Sequence, residues 1–323
     1  MITSQRLAKR ATCLCAAAFI GFSLLIAATP ISRSQNGEPD AAISQQRFET
    51  PEMAAHAFTA ALATNSINAI LKIFGTDYTE IVLGSDPITG KVLRQRAYVA
   101  ATERLAISPE TDGRVFLLLG QREWPMPIPL ARTKGGWVFD TATGAEVILT
   151  RWIGENELSA IDTLTAFVQA QEAYRTRLRA AGQPVEYARY VQSSPGSTDG
   201  LWWDQKTSAT AGPSPLTGFV SQSREFLEGR QPGDPFKGYY FRVLTGRGVH
   251  ADDGAGSYFV NGRMTEGFAL IAWPMSYRRS GVMTFLVDQS GRILQKDLGE
   301  DTAALVDTIR VYDPDESWEA AEE

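Results

Sequence analysis

SGVMTFLVDQSGRILQKD at residues 280–297, preceded by GFALIAWPMSY at 267–277 and GYYFRVL at 238–244, sets the character of the C-terminal half. Apolar and β-branched residues run through each segment, and Asp288-Gln289-Ser290-Gly291 supplies the residues of a tight turn. The expectation is four neighbouring strands at 239–244, 267–273, 282–288 and 292–296. Upstream, ENELSAIDTLTAFVQAQEAYRTRLRAAG (155–182) places Leu158, Ile161, Leu164 and Val168, with Phe167, Tyr174 and Leu178, in a broad apolar stripe at helical spacing. Gly182 and Pro184 stop that helix. Its start is read at Glu155, with Ala145 as the alternative that would make it the joint between two halves. Between helix and strands, residues 192–236 are rich in Ser, Gly and Pro and read as long irregular loops. The acidic end, 313–323, is expected to fray.

The N-terminal half has the opposite order, helices before strands. Thr50 caps a helix with Pro51 at its first position and Met53, Ala57, Phe58, Ala61 and Leu62 on one face. Ser66 opens a second helix carrying Ile67, Ile70, Leu71 and Phe74, which Gly75 ends. Residues 91–106 read as a third helix. Strands follow at 115–120, 127–132 and 136–141, the last two joined by a turn at Lys134-Gly135-Gly136. The expected class is α+β: helices then an antiparallel sheet, followed by a long helix packed on a second antiparallel sheet. The expected division is a leader at 1–34, a mobile linker at 35–46, one domain at 47–154, a second at 155–318 and a tail at 319–323.

Arg6, Lys9 and Arg10 precede an apolar stretch, Ala11 to Thr29, which Pro30 ends. That is the layout of a secretory signal, and Ser32 and Ser34 place small residues before a cut at Gln35. The alternative is a retained membrane anchor, since about 19 apolar residues can just span a bilayer. With cleavage the expected location is periplasmic or secreted, with no stable membrane span. Formal net charge is −6 from 31 basic and 37 acidic residues. Loss of Arg6, Lys9, Arg10 and Arg33 leaves 27 basic residues and a charge of −10. An acidic surface repels phosphate backbones, so nucleic acid is not an expected partner. Both cysteines, Cys13 and Cys15, lie in the leader. The mature chain therefore has no disulfide, thiol nucleophile or thiolate metal site.

Chemistry-bearing motifs are sparse. No GxSxG elbow, SxxK motif or Walker loop is present. The two histidines, His56 and His250, have no zinc spacing. A half-buried helical side chain accounts for the first. A solvated loop accounts for the second, the functional alternative being a pairing with Asp252 or Asp253. Asp252-Asp253 and the Asp313–Glu316 run lack the alternation of an EF-hand loop. No catalytic residue, metal ligand or cofactor is assigned. Arg151, Glu155, Asn156 and Glu157 form the most polar cluster on the long helix. Paired carboxylates there could do acid–base work if burial raised one pKa, although capping and ion pairing explain such clusters more often. Trp124, Trp137, Trp152, Trp202 and Trp203 could line a groove for sugar or peptide, or serve as core. Trp124, Trp137, Arg151, Glu155, Glu157 and Trp202 are thus the candidate ligand-binding set.

The N-terminal order of helices and curved sheet resembles the NTF2-like fold, whose cones often hold a small ligand. The GYYFR, GFALIAWP and GVMTFLVDQSG segments, with the AIDTLTAFVQAQEAY helix, resemble the globular part of type IV pilins and pseudopilins. A whole folded region here replaces the polymerising helix of those proteins, which argues against assembly into a pilus. WPMPIPL (124–130), GWVFDTATGAE (136–146), RWIGENEL (151–158), SSPGSTDGLWW (193–203), GYYFR and DLGEDT together resemble an exported bacterial family, domain of unknown function 2950, across about 48–318. That resemblance implies fold and export and carries no activity. The leading expectation is a non-enzymatic periplasmic binding or envelope-assembly protein with an unknown envelope ligand or protein partner. The alternatives are an envelope hydrolase using carboxylates in a cleft between the halves, and an accessory subunit of a pilus or secretion complex.

Overall fold

The computed structural model describes residues 44–84, 86–227 and 233–321. The expected leader, both cysteines and most of the expected linker lie outside them. The linker's end is held: Gln45 Nε2 donates to the carbonyls of Ile73 and Phe139, and Gln46 N–H donates to Lys72.

Thr50 accepts the N–H of Met53 and starts α1 (Pro51–Ala63), and Ser66 accepts that of Ala69 and starts α2 (Ile67–Phe74). The buried face of α1 is Ala54, Ala55, Phe58, Ala61 and Leu62; Met53, expected on it, points to solvent. A 3-10 turn at Thr76–Tyr78 leads into α3 (Thr79–Leu83), which the sequence did not suggest. The third helix expected at 91–106 is α4 (Pro87–Glu103). It begins earlier because Asp86 caps it and Pro87 takes the first position.

The strands β1 (Leu105–Ile107), β2 (Arg114–Val115), β3 (Leu117–Leu119), β4 (Trp124–Pro125), β5 (Leu130–Thr133) and β6 (Gly136–Phe139) form two three-stranded sheets, β1-β3-β4 and β2-β5-β6. The single strand expected at 115–120 breaks at Phe116, so its ends serve different sheets. The strand expected at 127–132 is β5 alone, starting later at Leu130, and the Lys134–Gly135 turn joins β5 to β6 with Thr133 opposite Gly136. Phe48 exchanges both backbone hydrogen bonds with Trp137. Under the sheets, Phe48, Phe58, Phe74 and Phe139 pack ring against ring at centroid separations of 4.9–6.3 Å.

Asp140 caps α5 (Thr141–Ala180), one helix of 40 residues that runs without a break through residue 154. At 1.5 Å per residue it is roughly 60 Å long. Its first turns close the N-terminal half. Its later turns bury Ala160, Leu164, Phe167, Tyr174 and Leu178 on the C-terminal sheet, while Leu158, expected in that stripe, is 55% exposed. Gln171, fully buried, exchanges both amide hydrogen bonds with the backbone of Ala188.

The stretch expected as loop holds short elements: a parallel pair, β7 (Tyr190–Gln192) and β8 (Gly200–Trp202), then α6 (Gln205–Ala211), α7 (Thr217–Gln222) and α8 (Arg224–Leu227). The main sheet is antiparallel, in the order β17-β16-β15-β14-β9. Its strands are β9 (Tyr239–Leu244), β14 (Ala269–Pro274), β15 (Met283–Asp288), β16 (Leu294–Asp297) and β17 (Glu319–Ala320). Two small ribbons, β10 (Gly246–Arg247) with β11 (Gly256–Ser257) and β12 (Phe259–Val260) with β13 (Arg263–Met264), lie between β9 and β14 in sequence. Helix α9 (Thr302–Thr308) follows β16. The acidic end is not frayed where described, because β17 pairs with Leu294 and Gln295. Mixed helix and antiparallel sheet confirm the α+β class. No helix among the described residues is long and apolar enough to cross a membrane.

Candidate functional site

Where α1, α2 and α4 lean over the β1-β3-β4 sheet, the first turns of α5 complete a groove of about 410 Å³. Phe58 and Leu62 of α1, Ile70 and Phe74 of α2, and Leu93, Ala97 and Ala100 of α4 line one side. Leu119, Met126, Ile128, Ile148 and Trp152 line the other. The side chains α1 and α2 turn inward for the core thus also wall a space it leaves unfilled. A mostly apolar concavity of this size with a few polar groups is the usual form of a small-molecule site.

Charge sits at the rim. Arg94 donates from Nε to Asn65 Oδ1 at 2.8 Å and from Nη1 to the Leu83 carbonyl at 3.2 Å. Burial pulls its pKa below the ordinary arginine value, though at so high a value the group stays charged. The Arg151 guanidinium lies over the Trp124 ring at 5.8 Å from its centroid, a cation–π arrangement. Arg96 pairs with Glu225 of α8, and Glu155 is the one carboxylate in this lining.

A second, polar lobe of about 380 Å³ shares Gly84, Gly90, Leu93, Arg96, Trp152 and Glu155 with the first. Thr89, Asn156, Ser159, Asp162, Gln222 and Lys237 supply its polar side chains, with Asp86, and Leu158 its remaining apolar one. Burial lowers the Lys237 amine from the usual lysine range, against the opposing pull of the nearby Asp162 carboxylate. Asp86 is committed to the start of α4, accepting from the N–H groups of Ile88 and Thr89.

Of the six candidates, Trp124, Arg151 and Glu155 come together at this groove. Arg151 and Glu155 share a helix face because they are four residues apart. Trp137, Glu157 and Trp202 do not join them. Trp137 is buried under Arg132 in the N-terminal core. Glu157 Oε1 accepts the N–H groups of Val282 and Met283 at 2.8 and 3.0 Å, tying α5 to the start of β15. Trp202 packs half-buried against the C-terminal core. Two residues apart on a helix, Glu155 and Glu157 face different sides. His56 is exposed on the outer side of α1. His250 Nδ1 meets Asp313 Oδ1 at 3.0 Å, in place of Asp252 or Asp253. Among the described residues no group of three or more His, Cys, Asp or Glu could hold a metal.

Arg94, Arg96 and Lys237 were missed. The signal was the pair of arginines in LRQR (93–96), on a helix otherwise rich in Ala and Val.

A family model described as protein of unknown function (DUF2950) matches residues 45–321, a span that takes in every strand and the groove described above. No curated protein and no solved structure matches the chain.

Proposed function

The chain belongs to the DUF2950 family of proteins of unknown function, and from that premise we propose that it is an exported, non-catalytic binding protein. Its N-terminal half, read as an NTF2-like cone, takes a small and largely apolar molecule into the groove. The pilin-like half serves as the platform that α5 is packed on. The observation that carries this reading is the apolar lobe of about 410 Å³ with charge confined to its rim. Export rests on the leader at 1–34, with the mature protein in the periplasm or outside the cell.

The hydrolase alternative relied on Glu155 and Glu157 acting together. Glu157 is engaged with two backbone amides and faces away from Glu155, so that pair does not support it. Trp124 and Trp152, both in the lobe lining, provide a direct readout. Titrating the mature protein with a neutral apolar probe such as N-phenyl-1-naphthylamine is expected to change their emission and light up the probe. Filling the lobe with Ala97→Trp, at a lining position of α4, is expected to abolish that signal without unfolding the protein. A well-folded Ala97→Trp variant that binds the probe as the parent does would overturn the reading.

A further inference from the structure

The groove's lining also specifies a ligand chemistry, an inference that rests on the binding reading above. Fourteen of the twenty residues around the larger lobe are apolar, and two more are glycines. The remaining four are Arg94, Arg96, Arg151 and Glu155. Among the described residues, no hydroxyl or amide side chain faces this lobe. A sugar or a peptide buried there would leave its own polar groups without partners, at a cost per group that apolar contact does not repay. Hydrocarbon suffers no such penalty.

Arg96 is paired with Glu225, which leaves Arg94 and Arg151 against Glu155 and the rim positive by one, in a chain whose overall charge is −6. This local reversal of sign favours an anion at the rim. Arg151 adds a second reason. Its one interaction among the described residues is with the Trp124 ring, so its N–H donors face no protein acceptor. Trp124, itself 47% exposed, holds that guanidinium in place over the mouth. A guanidinium supported in this way suits a carboxylate or phosphate, which it can bind through two parallel hydrogen bonds.

We propose that the groove binds a single-chain amphiphile with an anionic head, the aliphatic chain lying among Phe58, Leu62, Ile70 and Ile128 and the head held by Arg151 and Arg94. The head is a carboxylate, as in a free fatty acid, or a phosphate, as in a monoacylglycerol phosphate.

Competition against N-phenyl-1-naphthylamine on the mature protein tests this with four compounds of equal chain length, used below their micellar concentrations. They are myristate, monomyristoylglycerol phosphate, 1-tetradecanol and tetradecyltrimethylammonium. The expected result is displacement by at least one of the two anions at about tenfold lower concentration than by the alcohol or the cation, the size of one charge-assisted hydrogen bond. Which anion leads identifies the source of the head. Arg151→Gln, a change at an exposed side chain, is expected to cancel the advantage of the anions over tetradecanol. Glu155→Gln is expected to tighten anion binding, which loss of structure would not do. Equal displacement by all four compounds overturns the anionic head while the groove stands as an apolar site. Probe binding that none of the four displaces overturns the amphiphile while the groove stands. A mature protein that binds neither the probe nor any of the four overturns the binding reading together with this one.

Discussion

Gly90 lies inside α4, where a methyl group would come within 1.9 Å of the Leu83 carbonyl oxygen. That close approach lets α4 cross the end of α3 and brings Arg94 to the rim. Alanine would gain about 1 kcal/mol of helix propensity, yet a clash with backbone outweighs it. Gly90→Ala is expected to lower stability by about 1–3 kcal/mol, read by urea unfolding, and a neutral or stabilising result would refute this account. Asp140 supplies a test with pH. Burial pushes its carboxyl upward, but the hydrogen bonds from Thr143 and Arg114 outweigh burial and hold the pKa below the usual carboxylate range. A lowered folded-state value adds stability above the unfolded-state pKa of about 3.9, and that stability is lost as pH falls through the folded value. Asp140→Ala is therefore expected to cost about 1–2 kcal/mol at pH 7, with the difference from the parent shrinking below pH 4. A constant difference across that range would count against the ionised cap. Trp124, Arg151 and Glu155 were legible as single residues because Trp, and charge on an apolar helix, stand out in any sequence. Arg94 and Arg96 were not singled out, since only the crossing at Gly90 turns them toward the groove.

Among the elements, α5 is the one that joins the chemistry to the scaffold. Its interior holds Gly154, around which an added methyl group would meet nothing within 4 Å. Gly154→Ala is expected to stabilise the protein by about 0.5–1 kcal/mol, measured by thermal and urea unfolding, with probe binding unchanged. Destabilisation there would mean that the helix needs flexibility at that point. Most long elements were legible: Thr50-Pro51 and Ser66 announced α1 and α2, and runs of apolar and β-branched residues announced β9, β14 and β15. The short ones were not. β7 and β8 lie in a Ser- and Gly-rich stretch ordered by the Ser193 Oγ that accepts the Gly200 N–H and by the burial of Leu201 in the C-terminal core, whose other residues are distant in sequence. β17 reads as acidic tail because its stabilising partner is the edge of β16, which no local pattern can reveal.

For the whole molecule, contacts between the first and last parts of the chain decide cooperativity. Arg96 pairs with Glu225, Arg279 pairs with Glu80, and Asn156 donates to the Ser280 carbonyl at 2.9 Å. With α5 shared by both cores, unfolding of the mature protein is expected to be one transition, with tryptophan emission and far-UV circular dichroism tracing the same curve. Two resolved transitions would mean that each half folds alone. These long-range pairs are also what sequence reading cannot supply, since an arginine and a glutamate about 130 positions apart carry no mutual signature.

The unbroken helix has one more consequence, which concerns phase. Arg151 and Trp152 must look into the groove while Leu164 and Phe167 look onto the sheet, and both directions are set by counting residues along one rod. Each added residue turns everything beyond it by about 100°. A single insertion near Gly154 would thus turn the sheet-facing stripe away from the sheet, and only steps close to whole turns, such as about seven or eleven residues, would restore its direction. The short connections between β7, β8, α6 and α7 are under no such constraint. Length variation tolerated by this architecture belongs there, and α5 behaves as a keyway whose spacing is conserved by geometry alone.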